Sequence, residues 1–303
     1  MSRRKHGKPV HGLVLLDKLE GITSNRALQM VRRLFAARKA GHTGSLDPFA
    51  TGMLPLCLGE ATKTAAYMLD ADKRYRATMM LGQATETGDT EGRVSAEMPV
   101  PDLQEAEIRA SFKSFVGEIE QLPPMYSALK HQGQPLYKLA RAGATVARTP
   151  RTVNISEMVL LHHDQATITF EVRCSKGTYI RTLAEDIGAS LGSCAHLVGL
   201  RRLWVHPFES DAMVSLDQLE QDAARGLLSR HLLPLDEGLR SWPICELAPF
   251  PAERFVCGNP VDPGQPIKGW VRVRTVDGKP LGLGEATGPG QLHPRRVFHF
   301  EVE

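Results

Sequence analysis

The 303 residues predict an α+β fold: a mixed, largely antiparallel sheet flanked by helices, followed by a small C-terminal β module. Strand-like and helix-like apolar periods alternate irregularly, which disfavours a regular parallel βαβ array. Two stretches, Tyr75 to Leu81 and "TITFEVRCS" from Thr167, alternate apolar and polar residues as half-buried strands do. Beyond Ser241 the composition shifts, with Trp242, Pro243, Pro249 and Pro251 in quick succession. Then "GWVRVRTVDGKPLGLGEA" offers two short strands joined at Asp277-Gly278, a strong hairpin signal. The chain accordingly divides into residues 1–245 and 246–303.

Gly12 to Asp17 (GLVLLD) is an apolar run that suits a buried strand. Ser24 can cap a helix with Ala27, Leu28, Val31, Leu34 and Phe35 on one face. In the next strand Tyr75, Ala77, Met79 and Leu81 share a side. Asp102 with Glu105 has the capping-box pattern before a helix that buries Ile108, Phe112, Phe115 and Val116. Pro123, Pro124, Gly133 and Pro135 then break the chain into turns and short helices, so residues 121–156 read as a long insertion. After the strand bearing Ile168, Phe170, Val172 and Cys174, Gly177 makes a turn and Thr178 can cap. The helix beyond is striped by Ile180, Leu183, Ala184, Ile187 and Leu191, with Arg181 and Glu185 on its opposite face. Leu197 to Val205 returns as a strand, and Ser215 with Gln218 opens another capped helix.

Hydrophobic residues at 42% and charged ones at 23% suit a chain with a real core. No stretch approaches the ~20 apolar residues of a transmembrane helix. The basic start MSRRKHGKPVHG lacks the apolar region of a secretory signal. Five dispersed cysteines read as reduced thiols in a cytoplasm. Cys194 and His196 have neither a CxxC nor a second histidine pair beside them, so packing explains them better than metal.

Net charge is only +3, but its distribution is uneven. Gln121 to Ser156 contains no Asp or Glu and carries Lys130, Lys138, Arg141, Arg148 and Arg151. Arg3, Arg4, Lys5 and Lys8 add to this, as do Arg32, Arg33, Arg38 and Lys39. Solvated surfaces normally intersperse both signs, so the acid-free run favours a polyanion-facing segment.

The stretch "GHTGSLDPFATGMLPLCLGEATK", Gly41 to Lys63, holds one carboxylate, Asp47, before Glu60. Its glycines fit neither a Walker A nor a dinucleotide spacing. No second Asp for magnesium lies between Asp47 and Asp70, and neither a protease dyad nor a ligand cluster is visible. A single carboxylate acting as nucleophile or base remains. By itself, Asp before Pro is more readily a turn cap than a catalytic group.

The same stretch resembles the signature of the bacterial tRNA pseudouridine-55 synthases, the TruB family. So do "GLVLLDKLEGITSN", "DKRYRATMMLG", "PPMYSALKHQGQPLYKLAR", "CSKGTYIRTLAEDIG" and "AHLVGLRRL", in the family's order over residues 10 to 205. Ser45 and Phe49 stand where the family often has other small or apolar residues. The resemblance implies the pseudouridine synthase fold with a PUA-like RNA-binding module over 246–303. It implies conversion of a T-loop uridine of tRNA to pseudouridine, by a monomer in the cytoplasm with no cofactor, metal, membrane or obligate protein partner. Asp47 matches the essential aspartate and Arg181 its arginine partner, which is expected to lower the aspartate's pKa. Tyr75 matches the tyrosine that stacks on the base, Tyr179 and Leu200 match pocket residues, and His42 matches the histidine that fills the space left by the extruded nucleotide. The acid-free segment matches the insertion that clamps the T-stem loop, its lysines and arginines on phosphates. A non-catalytic tRNA-binding or folding protein on the same fold, and a nucleoside hydrolase using Asp47, are the alternatives.

Overall fold

The computed structural model describes residues 7–288 and 290–300. Arg3, Arg4 and Lys5 of the basic N-terminus, and the last three residues assigned to the C-terminal module, lie outside them. Strand β1 (Gly12–Lys18) is buried along almost its whole length, which is why its sequence is a continuous apolar run. After helix α1 (Ser24–Leu34) and the short β2 (Ala40–His42), β3 (Thr51–Leu58) pairs antiparallel with β1 from Gly12↔Leu58 to Lys18↔Gly52. A single-turn α2 (Ala65–Met68) leads into β4 (Lys73–Leu81), where alternate residues from Lys73 onward face inward. A side hairpin of β5 (Gln83–Thr85) and β6 (Val94–Glu97) precedes α3 (Glu105–Phe115) and β7 (Gly117–Gln121).

The chain then leaves the sheet. A two-residue-strand hairpin, β8 (Lys130–His131) and β9 (Gln134–Pro135), and the short α4 (Leu136–Arg141) are the regular structure of this excursion. It returns as β10 (Arg151–His163), paired with β7 at Arg151↔Gln121. The excursion therefore spans residues 122–150. Residues 151–156, grouped with it on composition, are a strand of the main sheet, since charge does not report pairing.

Next come β11 (Thr167–Cys174), α5 (Ile180–Ser190), β12 (Ala195–Val205) and α6 (Leu216–Ala224). The main sheet has the order β1-β3-β12-β4-β11-β10-β7, with β2 also on β3. Its pairings are antiparallel except β12 on β3, through Arg201↔Thr51 and Arg202↔Gly52, so the predicted mixed, largely antiparallel sheet is what forms. Gly52 permits that crossing: its φ is +98°, and a Cβ there would sit 2.2 Å from the Arg202 carbonyl. Apolar side chains of α1, α3, α5 and α6 bury one face of the sheet. Phe208, Leu235 and Leu239, with Leu283 and Phe298 of the C-terminal module, cover the strands on the other.

Three helix starts differ from the sequence reading. Thr23, not Ser24, caps α1, its hydroxyl accepting from the Arg26 N–H at 3.1 Å, and Ser24 is used elsewhere. The carboxylate that reaches back at α3 is Glu107, accepting from the Gln104 N–H at 2.8 Å, two residues later than Asp102–Glu105. Thr178 Oγ1 donates to the Ser175 carbonyl instead of capping α5, whose N-cap is Tyr179.

The second sheet is formed by β13 (Ile244–Leu247), β14 (Gly269–Thr275), β15 (Pro280–Gly288) and β16 (Gln291–Val297), with α7 (Pro249–Val256) packed on it. Asp277-Gly278 turns β14 into β15, Gly278 taking the φ of +85° this turn requires. Lys63 Nζ donates to the Val297 carbonyl and Glu60 accepts from the His299 N–H, joining the module to the main sheet's end.

Candidate active site

Asp47 lies on the loop between β2 and β3, and both its neighbours are pinned from behind. The Ser24 hydroxyl accepts from the Leu46 N–H at 2.8 Å and donates to the Leu46 carbonyl at 2.9 Å. Lys18, fully buried at the end of β1, donates to the carbonyls of Leu19, Ile22 and Pro48. Burial lowers the Lys18 pKa to about 8, against the pull of Asp47. Asp47 thus sits on a turn held at both neighbours, the fixed placement that a reacting group would need.

The carboxylate meets Arg181 from the first turn of α5: Arg181 Nε is 2.9 Å from Asp47 Oδ2 and 3.6 Å from Asp89 Oδ2. The rest of the guanidinium is used as well, Nη1 donating to the Thr87 carbonyl (2.6 Å) and Nη2 to the Tyr126 carbonyl (2.8 Å). Arg181 is 4% exposed. The apolar stripe of α5 placed it on the opposite face, but the 85–91 loop and the excursion cover that face too. Asp89 is itself held, accepting from the Thr87 hydroxyl and the Glu91 N–H.

The expectation that Arg181 lowers the Asp47 pKa does not carry the balance. Desolvation is the largest influence and raises it, Arg181 opposes, and Asp89 adds to the rise, leaving Asp47 above its ordinary value. One turn along α5, burial and Asp186 lift the Glu185 carboxyl to about 7. An acid or base that must be ionised loses function as pH falls through its pKa. The acid limb of turnover is therefore expected above the ~3.9 of an ordinary aspartate. A pH–rate profile checks this, and a limb at or below the ordinary value contradicts it.

Asp47 and Arg181 line a cleft of ≈ 330 Å³ together with Tyr75, Leu200 and Tyr179. Tyr75 comes from β4 and Leu200 from β12, adjacent strands in which Leu200 pairs with Ala77 and Arg202 with Tyr75. Burial raises the Tyr75 pKa, with Arg202 opposing, so its phenol stays neutral. Arg202, 1% exposed, fills the gap between β2 and β12 along β3, donating Nε to the Met53 carbonyl (2.6 Å) and Nη2 to the Gly44 carbonyl (3.2 Å). Lys73 lines the cleft beside Tyr75, donating to the Leu69 carbonyl (3.0 Å) and to the Ala71 carbonyl. Ser127 and Ala128, from the excursion, complete the wall.

His42 stands apart from these, at the end of β2, partly buried and with Nδ1 unpartnered among the described residues. Desolvation and then Arg202 lower its pKa, so the ring is neutral. Of the five basic residues expected on phosphates, Lys130, Lys138 and Arg141 are exposed. Arg148 is partly buried and donates to the Pro123 carbonyl, and Arg151 lies over the Tyr179 ring, 5.3 Å from its centroid. Lys18, Asp89, Thr87, Tyr126 and Arg202 were not singled out in the sequence. A lysine closing an apolar strand was the one available signal, for Lys18. His196 Nδ1 lies 2.9 Å from the Gln83 carbonyl, and no cluster of metal-binding side chains occurs among the described residues.

Comparison with known proteins agrees along the whole chain. Residues 32–180 match the N-terminal domain of the TruB family pseudouridylate synthases, 181–240 the tRNA pseudouridylate synthase B C-terminal domain, and 243–298 the C-terminal domain of pseudouridine synthase II TruB. The tRNA pseudouridine synthase B of Chromohalobacter salexigens is 51% identical over 302 residues, covering 99% of this chain and 98% of that one. That of Pseudomonas fluorescens is 50% identical over 296 residues, covering 96% and 97%. Among solved structures, a Cbf5–Nop10–Gar1 complex contains a chain matching with a TM-score of 0.73 and 26% identity, over 95% of this chain and 85% of that one.

Proposed function

The chain belongs to the TruB family of pseudouridylate synthases and isomerises uridine in tRNA to pseudouridine, and from that premise we propose that its target is uridine 55 in the T-stem loop, with Asp47 as the catalytic group. The observation that carries this is the Asp47–Arg181 pair, 2.9 Å apart, in a cleft at the small end of ligand sites. Such a cleft fits one flipped nucleotide and excludes a helix. In the reaction the N1–C1′ bond breaks and a C5–C1′ bond forms to the same sugar, with C5 losing a proton and N1 gaining one. Atoms and oxidation state are conserved, so one ionised carboxylate beside the ribose is sufficient polar machinery. Tyr75 stacks on the base, Leu200 and Tyr179 wall the pocket, and Arg181 holds Asp47 toward the sugar.

His42 fills the gap left in the T loop. Flipping a nucleotide costs a few kcal/mol, and a neutral ring in its place offsets part of that. His42→Ala is expected to slow conversion about tenfold, equivalent to ~1.4 kcal/mol, under single-turnover conditions; conversion at the parent rate contradicts the role.

Lys130, Lys138 and Arg141 hold phosphates of the T stem, and the module over 246–303 is a second, PUA-like RNA contact. The protein acts in this reading as a monomer without an obligate protein partner, in the cytoplasm. The test is an isolated T-stem-loop hairpin: it should be converted by the parent protein and not by Asp47→Asn. Its affinity should fall as salt rises from 50 to 200 mM, by roughly tenfold or more for three phosphate contacts. A flat salt response rejects the phosphate assignment.

A further inference from the structure

Tyr179 is gripped at both its backbone and its ring by one cross-strand pair. Gln121, at the end of β7, is 1% exposed and is aimed at the N-cap of α5. Its side-chain amide donates to the Tyr179 carbonyl (3.0 Å) and accepts from the Tyr179 N–H (2.7 Å). Arg151, the residue directly opposite Gln121 in the register, lays its guanidinium over the Tyr179 ring at 5.3 Å. The guanidinium passes so close to Gly177 that a Cβ there would be 3.2 Å from Arg151 Nη1. Gly177 and the phenol ring thus both lie against the guanidinium, a slot that suits a planar cation.

The same two residues bound the 122–150 excursion, which supplies Tyr126, Ser127 and Ala128 to the site. We propose that Gln121 and Arg151 are positioning residues for uridine isomerisation, fixing the Tyr179 ring against the cleft from the base of the RNA-gripping segment. Arg151 thereby acts through Tyr179 rather than on a phosphate. This rests on reading the cleft as the uridine site. An arginine fits the role where a lysine does not, because only a planar guanidinium stacks in the slot.

The test is Arg151→Lys and Arg151→Met in full-length protein on unmodified tRNA, alone and with Tyr179→Leu. Loss of the stack is expected to lower kcat about fivefold in both variants, with KM unchanged and the parent salt dependence of binding retained. In the Tyr179→Leu background Arg151→Lys should cause no further loss, since a residue acting through a ring has nothing left to act on. Gln121→Glu, which keeps the acceptor for the Tyr179 N–H but loses the donor, should lower kcat with KM unchanged. Full activity of Arg151→Lys overturns the inference, as does a loss that multiplies with Tyr179→Leu. So does a salt slope shallower by about one in Arg151→Met, which is the mark of a phosphate contact. Were the parent protein itself to leave tRNA unmodified, the reading of the cleft would fail instead, and the two failures are distinct.

Discussion

Asp47→Asn is expected to lower the rate of pseudouridine formation by about a thousandfold or more, the span general acid–base and nucleophilic groups supply. Asparagine has nearly the shape of aspartate and leaves the loop's supports from Ser24 and Lys18 in place. Only the ionisable oxygen is lost. Affinity for tRNA should stay within about twofold, because Lys130, Lys138 and Arg141, the residues proposed to hold phosphates, lie on the excursion and not on this loop. Pseudouridine released per enzyme over time, with filter binding on the same preparation, checks both halves. Residual turnover above a tenth of the parent's would mean that another group carries the chemistry.

Arg181→Met should cost nearly as much activity, and stability besides. Removing the guanidinium leaves Asp47 and Asp89 facing one another without the cation between them and strands the carbonyls of Thr87 and Tyr126. Breaking a buried ion pair by deleting one partner costs about 3–5 kcal/mol. Here about 2–3 kcal/mol is expected, because the Asp47 side chain is 40% exposed and partly screened. The sign of the accompanying pH effect is fixed. Arg181 opposes the rise in the Asp47 pKa, so losing it moves that pKa higher still and shifts the acid limb of any residual activity to higher pH. Thermal unfolding and a pH–rate profile read the two effects separately. An unchanged limb would show that the two side chains are neighbours without electrostatic coupling.

What the sequence revealed was whatever is encoded locally. The alternation from Tyr75 to Leu81 is a strand, the apolar run GLVLLD is a doubly covered strand, and Asp277-Gly278 is a hairpin turn, because periodicity and turn chemistry are properties of adjacent residues. Ser24 shows where this ends: Thr23 and Ser24 are both able caps, and only the distant Leu46 decides which of them is free to bridge the loop. The burial of Arg181 depends on Asp89 and Tyr126, from segments 92 and 55 residues away in sequence, which no helical stripe can announce. The basic run around Arg151 was legible as charge. That Lys130 and Lys138 stay exposed while Arg151, opposite Gln121 in the β7–β10 register, lies over the Tyr179 ring is set by the fold and not by the run of charge.

The most direct measurement is nucleotide-resolved mapping of pseudouridine in an unmodified tRNA transcript after incubation with the protein alone. A carboxylate held by Arg181 in a cleft for one flipped pyrimidine should yield a single pseudouridine at position 55, and none with Asp47→Asn. A transcript whose uridine 55 is untouched, or one modified equally well by the Asp47→Asn variant, would contradict it.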